Sequence, residues 1–349
     1  MKITTYKTNK PIQEVPESIS ERRRSVDGFF LTIIDDTLVD VEDSNTSADV
    51  LTIPDDIKVI GTQAFEGVCV EEVILPASVK TIEIEAFKKS TLKKIDLTNV
   101  KTMGDRVFEF SELREVTYSK YLTYIPEIPD SVKHIGSGCF ACSGIKSVKL
   151  PESGTFTVIL WETFFGCKNL ETVKLPDSVN VIDDYAFSEC TSLKSINLEK
   201  IGRIGPSAFA KTALEKITLT VMGTGPRAFA QCENLKEADL SGAVANRISS
   251  YMFFECKNLS KVSLPKEQIK TFDDNCFYHT AINGITFDAK NVVVGSNAFG
   301  MTNLKKVVIS ENCDDILFQD YAFRQADVDE FVIPDFLEKI VNSDLDRMF

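Results

Sequence analysis

Residues 186–198 read AFSECTSLKSINL, and these words recur along the chain. Cys190 follows Phe187 by three places and Leu193 by six, which raises the question of a reactive thiol in a structured loop. Aligning the chain on Phe answers it. Phe65, Phe87, Phe108, Phe140, Phe164, Phe187, Phe209, Phe229, Phe253, Phe277, Phe299 and Phe323 fall 20 to 24 residues apart, with one gap of 32. Ala often precedes the Phe, as at Ala64, Ala86, Ala186, Ala208, Ala228, Ala298 and Ala322. Five places before it stands an apolar residue such as Ile60, Ile82, Ile135, Ile182 or Ile204. Five or six places after it begins Leu-x-x-Val-x-Leu, as in Leu170-x-x-Val173-x-Leu175 and Leu193-x-x-Ile196-x-Leu198, often closed by Pro, as at Pro76, Pro151 and Pro176.

The alternating, β-branched V-x-L half reads as a short strand. The trailing Pro has no N–H for a ladder and ends that strand. The segment before Ala-Phe often opens with Asp or Gly, as in IDDYAF (182–187), and Asp there is expected to cap a short helical turn. One unit of this size cannot bury its own Phe and Leu. Stacked units bury them in a continuous column with parallel strands about 4.8 Å apart. A repeat array also accounts for 349 residues without a domain boundary, where a globular reading needs two or three domains.

The pattern A-F-x-x-C-x-x-L…P-x-S-V-x-x-I-x-x-x-A-F resembles the BspA-type leucine-rich repeats, over about residues 29–345. The resemblance implies a right-handed leucine-rich-repeat solenoid, with a parallel sheet on the concave face and short helices or turns opposite. It also implies a role in protein binding or adhesion, a place at the bacterial cell surface, and no catalytic motif residue. The expected divisions are a tail or cap over 1–27, a hairpin cap over 28–53, repeats over about 54–333 and a C-terminal cap over 334–349. At that end Leu345 falls where the next Phe is due and Asp344 where Ala is due.

A net charge of −13 argues against nucleic acid and against an acidic membrane surface as partners. No stretch approaches the roughly eighteen apolar residues of a membrane-spanning helix. The start, MKITTYKTNKPIQEV, has no apolar run and reads as no secretory signal, so the cytoplasm stands as the alternative location. Nine Cys, an odd and dispersed set, do not read as a disulfide framework.

Cys167, Cys190, Cys232 and Cys256 share one offset from the repeat Phe and are expected to be buried, reduced turn fillers. Cys139-Phe-Ala-Cys142 lacks the strand–helix context of a redox motif and the further ligands of a zinc site. His134 and His279 lie on separate repeats, and Asp183-Asp184 and Asp273-Asp274 share the capping slot. No cofactor or metal is expected.

Two features fall outside the repeat. The 36 variable positions of Leu-x-x-Val-x-Leu carry 12 Lys/Arg and 10 Asp/Glu, a net of +2, against −13 − 2 = −15 for the rest. Charges alternate from rung to rung except where Lys146, Lys149, Lys174 and Lys194 gather. The second feature is the 32-residue gap, read as an insert over 119–128, SKYLTYIPEI, with Tyr121, Tyr124 and Ile125 as contact residues. Together they suggest a corner for an acidic ligand, against the plainer readings of a solvated face and a loop packed on its own repeat. The leading function is non-enzymatic binding of a protein or glycan ligand. The alternatives are an intracellular protein–protein scaffold and, less favoured, a carbohydrate-active enzyme of the parallel β-helix kind.

Overall fold

The computed structural model describes residues 21–43, 49–117, 128–152, 154–220, 223–337 and 346–349. They form a leucine-rich-repeat solenoid of stacked rungs, each named here by its Phe. Every rung passes through a short strand before the Phe, a run of turns around it, and usually a second strand after it. The second strand is the V-x-L motif. The first, such as Val181–Ile182, forms a further parallel ladder, its second residue directed to the core. Both ladders are parallel throughout the repeats.

The Phe side chains form the spine. From Phe65 to Phe323 successive rings stack with centroids 4.6–5.9 Å apart and planes within 23°. Each is fully buried, as are most inward-facing Leu and Ile of the flanking strands, while Leu75, Leu175, Ile196 and Leu264 are partly buried. Burial of one such side chain contributes about 1.5–3 kcal/mol.

No helix forms around the Phe, and the backbone shows why. In the Phe187 rung, the N–H groups of Ala186, Ser188 and Cys190 close turns onto Asp183, Tyr185 and Phe187. The alternate N–H groups of Tyr185, Phe187 and Glu189 reach Pro206, Ala208 and Ala210 of the next rung at 2.8–3.0 Å. Tyr185 (φ 57°) and Glu189 (φ 62°) are left-handed, which turns every second peptide toward the neighbouring rung. The same two slots, two places before and two after the Phe, are left-handed in all twelve rungs, and only Gly67, Gly138 and Gly166 among them are Gly. Left-handed backbone at a non-Gly residue costs about 1–2 kcal/mol. The inter-rung hydrogen bonds and the buried Phe outweigh that.

The expected Asp caps are therefore corrected. With no helix to cap, the carboxylate serves the next rung. Asp105 Oδ1 accepts the Ser137 N–H at 2.8 Å, and Asp274 Oδ1 accepts the Ser296 N–H at 2.9 Å.

At the N-terminal end, β1 (Glu21–Val26), β2 (Phe29–Ile34) and β3 (Thr37–Asp43) form an antiparallel meander, and β3 then pairs in parallel with Val59–Ile60 of the first rung. Arg22 and Arg24, which fit no repeat, both bind Asp56, and Arg23 binds Glu42. At the other end the register differs from the sequence reading. Phe349 stacks on Phe323 at 5.8 Å, and the carbonyl of Met348 receives the Phe323 N–H, while Asp344 and Leu345 lie outside the described residues.

Candidate functional site

In each paired triplet of this motif, such as Thr172–Lys174, the central apolar residue points inward and its two neighbours face outward. The outward charges form ladders along the face. Lys94 reaches Glu72 at 2.8 Å, Glu237 sits between Lys216 at 3.2 Å and Lys261 at 2.9 Å, and Lys306 reaches Glu330 at 2.9 Å. The ammonium of Lys261, then that of Lys216, holds the Glu237 carboxyl below its usual range.

The four lysines singled out from sequence lie on consecutive rungs of this face, but two are not unpaired. Lys149 and Lys174 are register partners, and Glu152, just past Pro151, lies 3.8 Å from the first and 2.9 Å from the second. Lys174, and then Lys149, lowers the Glu152 pKa. The sequence reading missed this acid because it lies outside the strand motif. Lys146 and Lys194 are exposed, and their backbone carbonyls receive the N–H groups of Glu171 and Glu215, so one column alternates Lys146, Glu171, Lys194, Glu215, Lys236. The corner is thus close to neutral.

Tyr121, Tyr124 and Ile125 lie outside the described residues. The ends of the insert are described and shift its bounds to 118–127. Ile128 is buried, and its N–H donates to the Lys149 carbonyl at 2.9 Å, as Leu150 donates to Lys174 one rung on. Ile128 therefore fills the last Leu slot of the Phe108 rung. Its apolar character serves the core.

The strand ladder opens beside these lysines. Thr172–Lys174 meets the Phe187 rung through a single bridge, Thr172 to Ser195, and the next paired strand is Lys216–Thr218. A groove of about 560 Å³ occupies the opening. Thr172, Ser195, Asn197 and Thr218 line it, with Val173, Ile196 and Leu198 as aliphatic floor and Glu199 and Lys216 at its margin. This is the size of a small-ligand site. The Phe164–Phe187–Phe209 stack fixes the rungs 5.2 and 5.3 Å apart. An inserted strand would need about twice the usual 4.7–4.9 Å spacing. The opening therefore has room for single groups of a molecule lying across the face, and not for a further strand. The only sequence signal was the poor strand propensity of Asn197.

The thiols contribute no chemistry at this face. Cys167, Cys190, Cys232 and Cys256 are free and fully buried. Each donates its S–H to the Phe carbonyl of an earlier rung, at 2.9–3.1 Å. In the same slot Ser90, Ser111, Thr212, Thr280 and Thr302 turn back to their own rung's Phe carbonyl. The slot is a hydrogen-bonding column that takes either group. Burial raises the Cys167 pKa to about 12. Among the described residues, no group of His, Cys, Asp and Glu could hold a metal ion, and no helix is long and apolar enough to cross a membrane.

The sequence model of the BspA type Leucine rich repeat region matches residues 44–127, 126–236 and 223–345, with 6 copies. The chain belongs to this family. Among solved structures, a leucine rich cell surface protein of Faecalibacterium prausnitzii is similar at 20% identity and a TM-score of 0.52, over 86% of this chain and 96% of its own. Leucine-rich repeat proteins of Bacteroides ovatus (22%, TM-score 0.53, 94% and 96% covered) and Eubacterium ventriosum (18%, TM-score 0.54, 92% and 96% covered) share the fold. No curated protein matches the chain by sequence.

Proposed function

We propose that this BspA-type repeat protein is a non-enzymatic binding protein, used in adhesion, and that its ligand is a protein or glycan held on the strand face. The groove between the Phe164 and Phe209 rungs carries the reading, because it offers an aliphatic floor and short polar side chains together on the outward face. The insert supports it by leaving after Thr117 and returning at Ile128, beside Lys149. A cell-surface setting is supported by the family and by the name of the Faecalibacterium neighbour.

The test is a screen of the full chain on an array of glycans and purified proteins, followed by titration of the hit. Asn197→Ala and Lys216→Ala should weaken it by about tenfold or more. Removal of residues 118–127 should raise the dissociation rate. A hit whose affinity survives all three changes refutes the strand-face site.

A further inference from the structure

Among the aromatic residues exposed on the turn face, which include Phe110 and Tyr321, two lie on adjacent rungs. Trp161, the single Trp of the chain, is 39% exposed, and Tyr185 on the next rung is 40% exposed. Trp161 stands in the slot three places before the Phe, where other rungs put Asp105, Ser137, Asp184 or Pro206. Tyr185 stands one slot on, in the left-handed position that Tyr251 and Tyr321 fill in their own rungs.

The preceding rung is cleared in front of them. Its Gly138 N–H donates to the Trp161 carbonyl at 2.8 Å. A Cβ at Gly138 would lie 3.1 Å from Arg106 Cγ, so the Arg106 side chain crosses that rung over the missing side chain. Its guanidinium carbon reaches 5.9 Å from the Trp161 ring centroid. On the other side the Glu162 N–H donates to the Asp184 carbonyl at 3.1 Å, so these two carboxyl-bearing residues are neighbours between the aromatic positions. Asp184 is in an unusual state. Pro206 occupies the place of Ser296, whose N–H serves Asp274, and Pro has no N–H to give. Asp184 Oδ1 is buried without a hydrogen-bond partner, with the Arg203 guanidinium 3.9 Å away, while the side chain as a whole keeps 36% exposure.

We propose that Trp161, Tyr185, Arg106, Glu162 and Asp184 form a saccharide-binding site on the turn face. A sugar ring offers a C–H face that packs on an indole, and hydroxyls that both donate and accept. Carboxyls beside a guanidinium match that dual character, with Glu162 and Asp184 accepting and Arg106 donating. The net charge of −13 selects against acidic polymers. Burial raises the pKa of both carboxyls. The site lies on a different face from the groove and stands without it.

Because Trp161 is the only Trp, its emission reports this site alone. The full chain is run through native gels containing mannan, xylan, β-glucan or pullulan, with polygalacturonate as the acidic control. It is then titrated with hexasaccharides of each retaining polymer. The expected result is retention by at least one neutral polymer, with a saturable change in Trp emission. Trp161→Ala should abolish retention, and Arg106→Ala, which keeps the reporter, should weaken it by about tenfold. Asn197→Ala and Lys216→Ala should leave it unchanged. Retention by none of the neutral polymers, or retention that survives Trp161→Ala, overturns the proposal. Retention lost only in the groove variants assigns the sugar to the strand face instead.

Discussion

Removing one ring from the Phe column should weaken the solenoid in a way that depends on its neighbours. Phe187 is fully buried, 5.2 Å from Phe164 and 5.3 Å from Phe209. Phe→Ala in a core costs about 3–5 kcal/mol, least where the site collapses. Collapse is blocked here, because the Phe187 N–H is tied to Ala208 at 2.8 Å and the Phe164 N–H to Ala186 at 2.8 Å. The cost of Phe187→Ala should therefore fall at the upper end, about 4–5 kcal/mol. Adjacent rings share a stacking energy of about 0.5–1.5 kcal/mol. The pair Phe164→Ala with Phe187→Ala should be less damaging than the sum of its single changes by that amount. Phe164→Ala with Phe253→Ala, four rungs apart, should add. Urea unfolding followed by far-UV dichroism and by Trp161 emission supplies the free energies. An unchanged midpoint for Phe187→Ala, or a distant pair that couples as strongly as the adjacent one, would refute the stacked spine.

The thiols should divide by burial: at pH 8 native protein should alkylate at exposed Cys69, while Cys167, Cys190, Cys232 and Cys256 react only on unfolding. Mass spectrometry showing early label on Cys190, or any disulfide, would contradict this. Gly67→Ala isolates the backbone, since nothing lies within 4 Å of the added Cβ at φ +71°. It should cost about 1 kcal/mol, being the left-handed penalty less the gain from a stiffer unfolded chain; no loss in thermal denaturation would show that the slot is unstrained. Pro206→Ser restores an N–H opposite Asp184, whose pKa is raised by burial and then by Asp183. A raised carboxyl favours the fold when protonated, and that stability is lost as pH rises through its folded pKa. The variant should bring the Asp184 pKa down and reduce this loss, and an unmoved Asp184 titration by NMR would show that the proline is not the cause.

The periodic Phe, the Leu-x-x-Val-x-Leu strands and the register of the repeats were legible because burial writes itself as spacing. The left-handed slots were not. Glu85, Lys89, Tyr185 and Lys211 carry no compositional mark of positive φ, since their conformation is imposed by the rungs on either side. The first ladder was overlooked because two residues such as Val181–Ile182 are too few to alternate. Ile128 was assigned to a loop because its role depends on a hydrogen bond that its N–H gives to the next rung. The lysine cluster was visible, but its partner Glu152 belongs to a loop no motif describes. Trp161 stood out only as a count of one.

The inter-rung hydrogen bonds also determine how the molecule behaves as a tether. They link neighbouring rungs along the stacking direction, so tension applied between its two ends pulls on one interface at a time, opening each ladder like a zip rather than shearing it. A rung of 20 to 24 residues that peels away releases about 70–80 Å of slack. An adhesive built this way would lengthen stepwise under drag, one rung per event, while the rungs still stacked kept their grip.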